Sequence, residues 1–146
     1  MDEAKARAAF EAALATHQPA FGTFFLARLL GLAIRYEGER GIVEFDVADW
    51  MFNPQGSMHG GLIGTVLDVS MGHLLHHVAG AGATLEMKVQ YLGPVRAGRM
   101  RCDSAFLRRG RSINFLESRM TDATGSVIAA ATATWRLLAL EGKSNG

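Results

Sequence analysis

Residues 60–78 read G-G-L-I-G-T-V-L-D-V-S-M-G-H-L-L-H-H-V. The stretch holds no proline, and Leu62, Ile63, Val66, Leu67, Val69, Met71, Leu74 and Leu75 cover most faces of a helix. A helix apolar nearly all round is a buried one. In front of it, Asn53-Pro54-Gln55-Gly56-Ser57-Met58-His59 brings an amide, a turn and an imidazole to the helix N-terminus. Free backbone N–H groups at that end attract developing negative charge. Asp68 lies two turns further on, and an acid among apolar neighbours is costly unless it has a task. Donor and acid together point to a site that polarises a carbonyl and attacks it.

Strands surround this helix. Upstream, Asp2 is placed to cap a first helix in which Ala6, Ala9, Phe10, Ala13 and Leu14 recur at helical spacing, ended by Pro19 and Gly22. Residues 24–30 read as a short helix or turn feeding a strand over 32–37, and residues 38–41 as a hairpin connection. Val43, Phe45 and Val47 then alternate with Glu44, Asp46 and Ala48, as in a half-buried strand. After the break at Gly80-Ala81-Gly82, Leu85, Met87, Val89 and Tyr91 alternate with Thr84, Glu86, Lys88 and Gln90. Further strands are expected over 99–107, 112–121 and 126–138, with a hairpin tip at Arg108-Arg109-Gly110-Arg111 and a turn at 122–125. Strands gathered after one central helix predict an α+β fold with an antiparallel sheet. The 146 residues read as one domain, with an N-terminal helical segment over 1–25 and a polar tail at 141–146 expected to fray.

Composition narrows the function. Hydrophobic residues at 49% and charged residues at 20% are globular proportions, and a net charge of +1 argues against an electrostatically driven nucleic-acid binder. Cys102 is the lone cysteine, which suits a reducing compartment. The N-terminus lacks a basic region followed by an apolar run, and the apolar stretch 24–34 is short and broken by Arg28, so a cytoplasmic protein with no membrane partner is expected.

The pattern Asn53, Gly56, His59-Gly60-Gly61, Asp68 resembles the hotdog-fold acyl-CoA thioesterases, in particular the group with phenylacetate-pathway and mammalian medium- and long-chain enzymes. Tyr91-Leu92-Gly93-Pro94, the Arg108–Arg111 tip and the strand from Gly125 to Trp135 extend the likeness over roughly residues 29–138. The resemblance implies a sheet wrapped around one long helix, with two subunits joining sheets across a dyad and two such dimers pairing again as a dimer of dimers, a homotetramer. It implies that Gly60 offers its N–H to the thioester oxygen, that Asn53 positions the site, and that Asp68 is general base or nucleophile. Thr84 falls where the family places a serine or threonine that helps hold the attacking water. Acyl-CoA is the implied substrate, and no metal or further cofactor is called for.

Each residue also has a plainer reading. Gly60-Gly61 allows a tight entry to the helix and close substrate approach alike. Asp68 could be a partly solvated helix acid, and Asn53 a turn cap ahead of Pro54. His59 reads as a helix-start residue that orders the loop, with direct catalytic contact the lesser alternative. Arg108, Arg109 and Arg111 are either a solvated tip or a fork for CoA phosphates. His73, His76 and His77 read as packed rather than metal-binding, no acid or cysteine completing a set. No Gly-x-Ser-x-Gly elbow supports a serine hydrolase. Trp50, Met51, Phe52, Phe24 and Phe25 are either acyl-pocket walls or core. A hotdog hydratase and a non-catalytic acyl-CoA sensor are the rival functions. The first has His-based signatures absent from these residues, and the second carries a DNA-binding helix pair for which the N-terminal segment leaves no room.

Spacing adds a claim about assembly. Gly60 and Asp68 are eight residues apart, about 12 Å along a helix. One carbonyl cannot reach both on the same chain, so an obligate two-fold homodimer with two equivalent shared sites is expected.

Overall fold

A computed structural model describes residues 1–138. Helix α1 spans Glu3–Thr16, with the Asp2 carboxylate accepting from the Lys5 N–H, and α2 spans Phe25–Leu29. Strands β1 (Ala33–Glu37) and β2 (Arg40–Asp46) form a hairpin closed by Gly38 and Glu39 alone, so Arg40 and Gly41 belong to the strand rather than to the turn. A 3-10 turn at Asp49–Met51, which no sequence pattern announces, leads toward α3 (Gly60–Val78). Strands β3 (Gly82–Tyr91), β4 (Arg99–Arg108), β5 (Ile113–Thr121) and β6 (Val127–Leu137) follow. The tail expected to fray lies outside the described residues.

The six strands form one antiparallel sheet ordered β1-β2-β4-β5-β6-β3, and α3 packs on one face of it. This is the hotdog architecture. The sheet wraps the helix because alternate residues of each strand turn inward. Met100 and Cys102 on β4, Leu116 and Met120 on β5, and Ala129, Ala131 and Ala133 on β6 are buried against Val66, Leu67, Met71 and Leu74 of α3. The alanine row lets the helix approach closely. At Gly72 the approach is limiting, since a Cβ there would stand 2.7 Å from the Trp135 ring. The buried serines are paired: the Ser70 and Ser118 hydroxyls lie 2.6 Å apart, and Ser104 donates to the Ser70 carbonyl at 2.9 Å.

The plain alternation of residues 84–91 fails at one point. Thr84 pairs with Trp135 and Glu86 with Thr134, so Leu85 is an extra residue in a β-bulge. Leu85 is therefore 56% exposed rather than sharing a face with Met87, Val89 and Tyr91, and Thr84 joins that face instead.

α1 buries only Ala13, leaving Phe10 and Leu14 about half exposed. At the C-terminal end of α3, Phe21 stacks on His76 with ring centres 3.8 Å apart, and Tyr36 stacks on His77 at 4.0 Å. His73 is buried beside Phe21 and Phe24, with Tyr36 Oη 3.3 Å from its Nδ1. The histidines thus pack on aromatic rings, and no cluster able to hold a metal occurs among the described residues. Met51 is core, and Trp50 and Phe24 pack against the core. Among the described residues no helix is long and apolar enough to cross a membrane.

Candidate active site

The N-terminus of α3 is built by a closed loop and an imidazole cap. Asn53 closes the loop: its N–H donates to the Ser57 carbonyl at 2.8 Å, and its side-chain oxygen accepts from the Ser57 N–H at 3.2 Å. Gly56 takes φ +78° inside this turn, a conformation costly for a residue with a Cβ. His59 is the N-cap, its Nδ1 accepting from the Gly61 N–H at 2.9 Å. That bond places the proton of a neutral ring on Nε2. It also commits the Gly61 amide to the cap. Among the described residues no acceptor meets the Gly60 N–H, so it is the open donor of this turn.

Gly60 lies on the wall of a cavity of about 430 Å³, with Asn53, Ser57, Ile63, Tyr91 and Pro94 around it. Ser57 and Tyr91 were absent from the expected site. The Tyr91 hydroxyl donates to the Gly60 carbonyl at 2.9 Å, and its ring lies 3.3 Å from where a Gly60 Cβ would be. The sequence signal was there: glycines at 60 and 64, one turn apart, leave a bare strip on which an aromatic ring can lie.

Asp68 follows on the same strip, since residues 60, 64 and 68 repeat at four-residue spacing. It borders a second depression, about 400 Å³, between α3 and β3, with Gly64, Thr65, Met87, Val89 and Tyr91. The Thr84 hydroxyl donates to Asp68 Oδ1 at 2.8 Å. Partial burial pushes the Asp68 carboxyl above its ordinary value, and the Thr84 hydrogen bond pulls the other way. A carboxylate raised in this manner is a better base.

The structure therefore brings Asp68 to Thr84 and Gly60 to Tyr91, but in one chain it leaves donor and acid in separate depressions. The arginine tip stands elsewhere. Arg109 pairs with Glu39 at 2.5 Å and lies over the Phe106 ring, while Arg108 and Arg111 are exposed. Register places β4 three strands from β3, about 15 Å away. Trp50, Met51, Phe52, Phe24 and Phe25 line neither depression.

Comparison with known proteins settles the family. A family model described as the acyl-CoA thioesterase N-terminal domain matches residues 47–136, which include α3 and both depressions. The chain belongs to that thioesterase family. The chain is 32% identical to mouse acyl-coenzyme A thioesterase 13 over 95 residues, 62% of this chain and 68% of the mouse protein. Its fold superposes on a Ralstonia eutropha protein described as a phenylacetic acid degradation-related thioesterase, with TM-score 0.73, 26% identity, and coverage of 88% and 99% of the two chains. A Bacillus halodurans protein solved with CoA shares the fold at TM-score 0.85 and 21% identity, over 95% of each chain.

Proposed function

We propose that the thioesterase hydrolyses an acyl-CoA, adding water across the thioester to give a carboxylic acid and free CoA. The observation that carries this reading is Asp68, made more basic by burial and held by Thr84, on the same helical strip as the open Gly60 N–H. Gly60 stabilises the oxyanion that forms on the carbonyl oxygen, a contribution of about a hundredfold or more in rate. Asp68 activates water or attacks the carbonyl itself, Thr84 orients the participants, and Asn53 and His59 hold the loop that presents Gly60. The scheme calls for a donor and a base, not for a metal or redox group.

The two halves meet when a second copy supplies one of them. The separation of about 12 Å along α3 requires it, and β3 supplies a means. This ten-residue strand ends the sheet with a free edge, and Leu85, Tyr91 and Leu92 on or just beyond it are more than half exposed. An edge so long and apolar invites pairing with another strand. Edge-to-edge pairing about a dyad sets the α3 helices antiparallel, with Gly60 of each copy toward Asp68 of the other. Assembly of two dimers into a tetramer rests on family resemblance alone. Acyl-CoA as the substrate is supported by the relatives' names and by the CoA held in the Bacillus protein. Arg108, Arg109 and Arg111 are proposed for the CoA phosphates, and a cytoplasmic setting agrees with the buried thiol of Cys102.

A thiol-release assay over aryl, medium-chain and long-chain acyl-CoAs tests the reading, with Asp68→Asn as control. Turnover abolished by Asp68→Asn is expected. Tight binding with no turnover on any member would replace the enzyme by a sensor.

A further inference from the structure

Among the described residues Tyr91 is the one side chain that borders both depressions on α3. It stands on a floor without side chains. A Cβ at Gly60 would touch its ring, and one at Gly64 would lie 3.6 Å from its hydroxyl. Nothing else on that strip of the helix could fill the space if the ring left. The ring is also lightly held: its hydroxyl makes a single hydrogen bond, to the Gly60 carbonyl. A bond of that kind opens at small cost.

We propose that Tyr91 is a specificity-determining partition that limits how large an acyl group the site accepts. The inference rests on the acyl-CoA reading above. A thioester whose oxygen is held at Gly60 has its acyl group in the first cavity, among Met58, Ile63 and Tyr91. A short group ends there. A longer one meets the Tyr91 ring, and passes only if the ring swings from its bond to Gly60 and opens the glycine floor toward Met87 and Val89. The hydroxyl holds the partition shut and the ring provides its bulk, so the two parts are separable by mutation.

The test compares wild type, Tyr91→Phe and Tyr91→Ala on straight-chain acyl-CoAs from butanoyl to palmitoyl. Hydrolysis is read as kcat/KM, and binding by calorimetry with non-hydrolysable thioether analogues of the same chain lengths. Tyr91→Ala is expected to raise the palmitoyl-to-butanoyl ratio about tenfold or more in both measurements, the scale on which pocket volume discriminates. Tyr91→Phe should fall between it and wild type. Adding Gly64→Ala to Tyr91→Ala restores bulk to the floor and should move the ratio back. Should Tyr91→Ala not fold, Tyr91→Leu removes the hydroxyl and most of the ring's reach. Unchanged ratios in folded variants would overturn the partition, as would failure of the wild type to bind any analogue. Binding with the expected ratios but without hydrolysis would instead overturn the hydrolase reading and leave the partition standing.

Discussion

Thr84 touches the one carboxylate whose charge decides the proposed chemistry. Its hydroxyl donates to the ionised form of Asp68, and so opposes the upward pressure of burial on that group. Valine, similar in shape but without a hydroxyl, would not do so. Thr84→Val is therefore expected to raise the Asp68 pKa further and move the acid limb of the kcat/KM profile to higher pH, which a pH–rate series reads directly. The same burial has a stability sign. Asp68 binds its proton more tightly folded than unfolded, so ionisation at neutral pH opposes folding. Asp68→Asn should abolish turnover while leaving the thermal midpoint unchanged or raised; a lowered midpoint would mean the acid is structural. At this scale the resemblance singled out Asn53, Gly60 and Asp68, which do border the two depressions. Their contacts were less legible. Asn53 proved to be a turn-closer that also borders the cavity, and the amide of Gly61 is occupied by His59. Neither fact follows from residue type, since each depends on which rotamer a short loop permits.

Elements obeyed periodicity except where one residue was added. Helix α3 was legible to its ends because an apolar surface of that width has no other solution in water. In β3 the alternation broke at Leu85, and the bulge there turns Thr84 toward the helix. A bulge is set by pairing with β6, a partner more than forty residues away, so a single-strand reading cannot find it. Packing of α3 on the sheet makes two further expectations. Gly72→Ala drives a methyl group into the Trp135 ring, and should cost about 1–3 kcal/mol in denaturant unfolding. His73, nearly sealed under Phe21 and Phe24 with its Nε2 unpartnered, has its pKa lowered to about 4 by burial and, secondarily, by His76. The unfolded chain protonates this ring near 6.5, so its share of stability is complete above that pH and is lost as pH falls toward 4. Replacing His73 by Phe should flatten the stability profile across that window.

On the scale of the whole molecule, the shared site makes the strongest claim. A Gly60→Pro chain lacks the donor N–H and an Asp68→Asn chain lacks the base, so each alone should be inactive. Mixed after dissociation, they should recover activity, because a heterodimer contains one site with both native halves. No recovery despite confirmed heterodimers would confine the site to a single chain. Tertiary layout was legible from the order of elements, while the proposed need for a second copy rests on a length, the rise of a helix multiplied by eight residues.

The free edge of β3 carries a consequence for handling the protein. Where the fold is complete in one chain but the site needs two, structure and activity follow different orders in concentration. Dilution should then leave the circular dichroism of a sample intact while its specific activity falls, and reconcentration should restore it. A freshly synthesised chain would be folded before it is an enzyme, with the delay set by how often it meets another of its kind.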